Sequence, residues 1–381
     1  MSVWDSLVGQ RAAITALRRA VAGDGMTHAW LVTGPPGSGR SNLAVAFAAA
    51  LQCPQGGCGT CHACTTVLAG SHADVTVVRT EKLSLQVRDI RDLVRRSALT
   101  PVGDRWQVLV VEDSDRLTDQ AANALLKAIE EPNARTVWVL CAPTVEDLLP
   151  TIRSRCRLVT LTTPQASEVA AFLTGSLGVP AELAAHAARA SQGHIGRAKA
   201  LASDDETRRR RREVVELPAR LVSLGAAMAA AQKVDELTKD EAEQVTSVLD
   251  AREKADLDAA HGVVERGRRP REYGPALKEL EAGQKTRAKR RRLDVVDRSL
   301  VELVSVYRDA IALAVDPHAE LVNSEIADKV AQLVGVSTPE ENLRRIDAIF
   351  AAREQMLEFN VPPALALESM MVALVVRGGR R

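Results

Sequence analysis

The chain has 381 residues, of which 46% are apolar and 26% charged, with a formal net charge of +1. That length exceeds what one core usually fills, so two or three domains are expected, and the balanced charge excludes a globally basic nucleic-acid binder. Aromatics make up 3% of the chain, so the core has to be built from Ala, Leu and Val, a composition that favours closely packed helices.

The start MSVWDSLVGQ lacks a basic segment followed by an apolar one, and the late run ALALESMMVALVV is interrupted by Glu368 and is too short to span a bilayer. The expectation is a cytoplasmic protein without membrane contact. Six cysteines in such a chain are not expected to form disulfide staples, and four of them crowd into residues 53–64, which points to a metal.

In chain order, five short apolar runs read as buried parallel strands: Ala29–Thr33, Val75–Arg79, Trp106–Val111, Thr136–Cys141 and Arg157–Leu161. Helical patterns between most of them predict βαβ units and an α/β layer architecture. Beyond Pro164 the strand signal ends. A small helical unit over 165–202 is followed by the charged break SDDETRRRRRE, read as an interdomain linker carrying Arg208–Arg212, with nucleic-acid contact by these arginines the other reading. The remainder reads as helices. A highly charged stretch at about 235–292, punctuated by Gly262, Gly267, Pro270, Gly274, Pro275 and Gly283, is either a partly extended insertion or a long helical hairpin. Afterwards Leu300, Leu303, Val304 and Tyr307 recur at i, i+3, i+4, i+7.

GPPGSGRS, Gly34–Ser41, lies between the first strand and a helical pattern. Glycines there turn backbone N–H groups toward a phosphate at a helix N-terminus. Gly34, Gly37 and Gly39 are the cradle, and Ser41 stands where a hydroxyl would meet Mg²⁺. Arg40 replaces the lysine such loops use, and its forked, planar cation is not equivalent to a compact ammonium. The bland alternative is a glycine turn capping a helix. The run WQVLVVEDSDRL ends a strand in Glu112–Asp113, where α/β sheets bind ligands. Active sites of this kind use Asp then Glu. The inverted order displaces each carboxylate by a methylene, enough to cost about a hundredfold in rate.

Cys53, Cys58, Cys61 and Cys64, in CPQGGCGTCHAC, suit tetrahedral Zn²⁺ in a closed, structural site. Free thiols and an iron–sulfur cluster are the competing readings, but the spacing of the latter calls for a cysteine downstream and a following proline that are absent. His62 is read as a bystander and Cys141 as a buried strand residue. In LTDQAANALLKAIEEP, Thr118 is a candidate N-cap and Ala122, Leu125, Leu126 and Ile129 form an apolar face. In SLQVRDIRDLVRRSAL, Arg88, Arg91 and Arg95 form a basic stripe opposite Val87, Ile90 and Val94. A solvated face paired with Asp89 and Asp92 is the preferred reading, and contact with DNA phosphates the other.

VGQ (Val8–Gln10), HAWLVTGPPGSGR, LTDQAANALLKAIEEP and LLPTIRSRC follow one another as in bacterial clamp-loader subunits of the AAA+ superfamily. Over residues 4–202 the chain resembles the delta-prime family of the DNA polymerase III clamp loader, with a weaker likeness after 203. The resemblance implies an α/β AAA+ domain over 1–164, with a parallel five-stranded sheet, flanking helices and a zinc module at 53–64. It also implies a small helical lid over 165–207 and an all-α collar domain for oligomerisation over 208–381. The charged insertion at about 235–290 is not matched by this resemblance. The implied task is to help load a sliding clamp onto primer–template DNA, beside tau/gamma and delta subunits, in the cytoplasmic, nucleoid-associated replisome.

In that family delta-prime is commonly a stator without a competent site, so intrinsic ATPase activity is not expected, although ATP or ADP with Mg²⁺ is left open as a bound ligand. Val8, Gly34, Gly37, Gly39, Arg40, Ser41, Glu112 and Asp113 are the implied nucleotide-site-like set. Ala142 and Pro143 take the places of sensor threonines, and Gly196 that of a sensing arginine, with Arg197 next to it. Arg155, in RSRC, corresponds to an arginine finger that enters a neighbour's ATP site; the alternative is that it pairs with Glu112, Asp113 or the lid. Two further readings are a tau/gamma-like active ATPase and a zinc-stabilised AAA+ regulatory binder.

Overall fold

The computed structural model describes residues 2–80, 84–263 and 270–376. The chain divides into two compact units, Met1–Ser203 and Asp204–Arg381. The sequence-derived boundary at 164/165 therefore falls within the first unit, and 207/208 falls within a helix.

The first unit runs α1 (Arg11–Val21), β1 (Ala29–Thr33), α2 (Arg40–Gln52), α3 (His62–Leu68), β2 (Val75–Val78), α4 (Val87–Ser97), β3 (Gln107–Val111), α5 (Asp119–Glu130), β4 (Thr136–Ala142), α6 (Pro150–Arg153) and β5 (Arg157–Thr160). All pairings are parallel and the strand order is β2-β3-β4-β1-β5. The five strands lie where the apolar runs predict them, within one residue at each end. Every residue of β1, β3 and β4 is buried, as expected for strands covered on both faces.

Alternation divides the core. Trp30 and Val32 point to the layer containing Phe47, while Leu31, Leu109 and Leu140 point to the layer containing Ile90, Leu125 and Ile129. Trp30 meets Phe47 edge-on with ring centroids 5.3 Å apart. Truncating Phe47, which is fully buried, to alanine would cost about 3–5 kcal/mol. Three more helices, α7 (Ala166–Leu177), α8 (Ala181–Ala190) and α9 (Ile195–Ser203), complete the unit around a core that includes Val169, Leu173, Ala187 and Leu201. α7 starts at a Gln165/Glu168 capping box and stops at Gly178, left-handed at φ 67°.

The second unit comprises α10 (Asp205–Val215), α11 (Leu224–Ala260), α12 (Tyr273–Val315), α13 (Ala327–Val336), α14 (Pro339–Leu357) and α15 (Pro363–Ala373). Leu300, Leu303 and Tyr307 of α12 are fully buried at its centre, as their spacing predicts. The charged break is a helix: Asp204 caps α10 by accepting from the Glu206 and Thr207 N–H groups, and Glu206 and Glu213 neutralise Arg209 one turn away. Arg211 is buried against Glu325 and Asn323, so the run is packed structure instead of a linker.

The charged stretch at about 235–292 is a helical hairpin of α11 and α12, with 37 and 43 residues. Pro275 lies in the first turn of α12, where a missing N–H breaks nothing, and Gly274 and Gly283 are accommodated inside the helix. Gly267 lies outside the described residues. Few apolar side chains hold the far part of this hairpin together. An ion-pair cluster does so instead, Arg287 with Asp250 and Glu253 at 2.5 Å, while nearer the base Arg292 meets Asp235 at 2.5 Å and Arg298 meets Glu241 at 2.6 Å.

Candidate nucleotide site and metal centre

The glycine loop leaves the buried end of β1 and enters α2 through Gly39, left-handed at φ 96°. The Gly34 N–H donates to the Pro143 carbonyl at 3.1 Å, tying the loop to the end of β4. Arg40 turns back on the loop: its Nη1 donates to the Gly34 carbonyl at 2.5 Å. Burial holds the guanidinium below its ordinary pKa, against the pull of the Asp115, Asp113 and Asp147 carboxylates. Ser41 follows as the second residue of α2.

The VGQ motif acts as a brace. Val8 is buried among the α7–α9 side chains, so the structure gives it a packing position behind the loop. Gln10 is buried; its Nε2 donates to the Thr162 carbonyl at 2.8 Å and to the Ser38 carbonyl at 3.4 Å, and its Oε1 accepts from the Thr162 N–H at 3.1 Å. From the other side the start of α9 approaches Gly37. The Ile195 N–H donates to the Gly37 carbonyl at 3.2 Å, and a Cβ built on Gly37 would stand 2.1 Å from Cγ of His194. The His194 Nδ1 in turn accepts from the Arg197 N–H at 3.1 Å.

At the end of β3, the Glu112 carboxylate is largely covered and accepts from Arg79 Nε at 2.7 Å. Asp113 Oδ2 accepts from the Thr80 N–H at 3.2 Å. Ala142, the last residue of β4, and Pro143 carry no hydroxyl. The loop thus keeps its left-handed glycines, while Arg40 is engaged by the loop's own backbone and Glu112 by Arg79.

Arg155 follows the short α6 and is 39% exposed. Its Nη2 lies 2.6 Å from Oε1 of Glu130 at the end of α5, and Nη1 donates to the Thr151 carbonyl at 2.8 Å. Its partner is therefore Glu130, not Glu112, Asp113 or the lid. On α4, Ile90 and Leu93 are buried, whereas Arg88, Arg91 and Arg95 are exposed, with Arg95 paired to Asp92. Thr118 caps α5 by accepting from the Ala121 N–H at 3.3 Å.

The four clustered cysteines come together: the Sγ atoms of Cys53, Cys58, Cys61 and Cys64 all lie within 4.8 Å of one another. A tetrahedral zinc with Zn–S of about 2.3 Å needs sulfurs roughly 3.8 Å apart, and Cys53 and Cys61 are separated by 3.7 Å. Backbone N–H groups already aim at these sulfurs, Cys61 N at Cys58 Sγ at 3.3 Å and Gln55 N at Cys53 Sγ at 3.3 Å. Donors from Thr60 and Cys61 hold the Cys58 thiol down to about 6, while burial pushes Cys64 up to about 12. These residues could hold one metal ion, and the four-sulfur set fits zinc. His62 is exposed, and burial pushes the Cys141 thiol in β4 up to about 12, the state of an inert core residue. Residues 2–4 strap over the cluster: the Val3 N–H donates to the Gly57 carbonyl at 3.1 Å and Trp4 Nε1 to the Gly56 carbonyl at 3.2 Å.

Residues 9–165 match a family model described as DNA polymerase III, delta subunit. This segment is similar to that family. Curated relatives of the segment include delta-prime and gamma/tau subunits. It is 40% identical over 135 residues to DNA polymerase III subunit delta' of Pseudomonas aeruginosa, covering 34% of this chain and 41% of that protein. It is 36% identical over 184 residues to the delta' subunit of Escherichia coli, covering 47% and 55%. Subunit gamma/tau of Mycobacterium tuberculosis matches at 34% over 154 residues, 39% of this chain and 27% of that one. The chain thus spans about half or less of each of these relatives' lengths. A solved gamma subunit-related protein from Thermotoga maritima aligns with 95% of this chain and 98% of its own at 16% identity and a TM-score of 0.42, too loose to add to the assignment. No helix among the described residues is long and apolar enough to cross a membrane.

The likeness to delta-prime subunits rests on motifs legible in the sequence. Arg79, Glu130 and His194, the partners that define the state of the site, were not. Only Glu130 had a local signal, its place before Pro132 at the end of a helix.

Proposed function

We propose that this chain is the stator-type, delta-prime subunit of a DNA polymerase III clamp loader, holding one structural zinc and helping tau/gamma and delta subunits load a sliding clamp onto primed DNA in the cytoplasm. Its own loop does not turn over ATP, and Arg155 serves a neighbouring subunit's ATP site. The observation that carries this reading is the bond from Arg40 to the Gly34 carbonyl at 2.5 Å: the loop's one cation is directed at its own backbone. Glu112, held by Arg79, supports it, because a carboxylate bound to a guanidinium is a poor base for an attacking water.

Arg155 is suited to the opposite task. Its pair with Glu130 is about four-tenths exposed on both sides, and such pairs contribute little, so a γ-phosphate can replace the carboxylate at small cost. A guanidinium placed there stabilises charge in the transition state. Fingers supplied in trans are worth about 10³–10⁵ in rate. In a reconstituted complex, Arg155→Ala should keep assembly and bound zinc but lose clamp- and DNA-stimulated hydrolysis at the adjoining site. Arg155→Lys should rescue poorly, since a point charge lacks the fork. Wild-type clamp loading by the alanine variant would overturn the finger role. ATP turnover by the isolated chain near the common enzyme value of about 10 per second would favour a gamma/tau-like ATPase instead. Failure to copurify with other clamp-loader subunits would favour a zinc-stabilised regulatory binder.

A further inference from the structure

A cleft of ≈ 420 Å³ opens within the second unit where the base of the α11–α12 hairpin meets the α14–α15 turn. It belongs to no site described above. Its apolar wall comes from Leu293, Met356, Val361, Pro362 and Pro363. Small residues, Ala242 of α11 and Ala288 of α12, keep it open on the hairpin side. The turn is fixed: Asn360 is left-handed at φ 54°, the Val361 N–H donates to the Gln355 carbonyl at 3.0 Å, and the two prolines stiffen the entry to α15. A cleft formed in advance in this way loses little order when filled.

Charge decides what would fill it. Three cations line the mouth, Lys239, Lys289 and Arg292, with one carboxylate, Glu243. Arg292 is consumed by Asp235 at 2.5 Å. Lys239 and Lys289 are exposed and have no ion-pair partner among the described residues. Elsewhere on this hairpin the arginines Arg287 and Arg298 are matched to carboxylates of the facing helix, so these lysines are left over at the opening of an apolar cavity. The chain's own remaining segments do not suit it: residues 377–381 read RGGRR and 265–269 read ERGRR, both basic. A nucleic-acid strand is a poor match as well, because the wall is aliphatic, without aromatics to stack on bases.

We infer that this cleft docks a short acidic peptide segment of a partner protein, with one large apolar side chain in the cavity and carboxylates on Lys239 and Lys289. The size suits one aromatic or leucine anchor with its flanking backbone. The inference does not depend on the clamp-loader reading, and its failure would leave that reading intact.

The test uses the full-length chain and a fluorescein-labelled peptide of about twelve residues, Asp, Glu, Ser and Gly with a single central phenylalanine, read by fluorescence anisotropy. Saturable binding is expected. The double variant Lys239→Glu/Lys289→Glu should weaken it by about tenfold or more, and Ala288→Phe, which fills the cavity from its partly exposed side, should abolish it. Thermal melts establish that each variant is folded; if the double charge reversal is not, Ala288→Phe and Lys289→Ala carry the test. The inference fails if the wild type does not bind the peptide, or if Ala288→Phe binds as well as wild type. It also fails if the same peptide with alanine for phenylalanine binds equally, or if oligodeoxythymidine displaces the peptide as readily as unlabelled peptide does.

Discussion

A methyl group at Gly37 would meet His194 at 2.1 Å on a backbone at φ +81°, whereas one at Gly39, φ +96°, would meet nothing within 4 Å. Both substitutions strain the backbone by about 1–2 kcal/mol. Only Gly37→Ala must also push the lid away, adding roughly 1–3 kcal/mol of overpacking. Thermal unfolding should therefore show Gly37→Ala to be the more damaging; equal losses would mean that His194 yields freely. At the cysteine cluster, Cys64→Ser and Cys58→Ser should each release the metal and lower the melting temperature, with elemental analysis reporting zinc in the wild type and little in either variant. Metal uptake should be coupled to pH. Above about 6 Cys58 is already a thiolate, whereas Cys64, at about 12, gives up a proton on binding. As pH falls through 6, Cys58 becomes protonated in the metal-free chain, so about one more proton is released per metal and affinity falls more steeply. Metal titrations at several pH values would check this. The cysteine spacing was readable from sequence because the ligands are neighbours along the chain. The Arg79–Glu112 contact was not, because residues 33 positions apart meet only through the pairing of β2 with β3.

Among the elements, α10 shows where sequence reading reached its limit. Its arginine run looks like a solvated linker because periodicity in a charged segment carries no apolar signal. What makes it structure is pairing: at its end, Glu216 accepts from Lys329 at 2.6 Å, Arg220 at 2.7 Å and Arg212 at 3.0 Å. Lys329, then Arg212 and Arg220, hold the Glu216 carboxyl below its ordinary value of 4.5. A depressed carboxylate favours the fold above its unfolded pKa, and that contribution is lost as pH falls through the folded one. Acidification below about 4.5 should therefore weaken the helical unit, and Glu216→Gln should flatten the response by about one proton on acid unfolding. Chemical denaturation across pH 3–6 (roughly the carboxylate range) would show it; identical slopes would assign the acid response to other groups. The hairpin was legible as one of two possibilities, since glycines and a proline in α12 mimic a break that the facing acidic helix overrides.

At the scale of the molecule, α14 exposes Leu343, Phe350 and Leu357 at 52%, 46% and 46%, one every seven residues. Such a ridge suits packing against a further helix. If the second unit is the assembly domain, Leu343→Asp/Phe350→Asp should leave the isolated chain's melting temperature nearly unchanged, since exposed sites tolerate substitution. The same variant should fail to coelute with tau/gamma subunits on size exclusion; normal coelution would place the contact elsewhere. The strand order also sets the timing of birth on the ribosome. Ala29 of β1 pairs with Trp138 of β4, and on its other edge Trp30 pairs with Arg157 of β5. The middle of the sheet must wait for more than a hundred further residues, about 5–20 s of synthesis at common elongation rates. During that wait the cysteine knuckle and its adjoining helices, closed within a short span of chain, are the part of this unit able to order first.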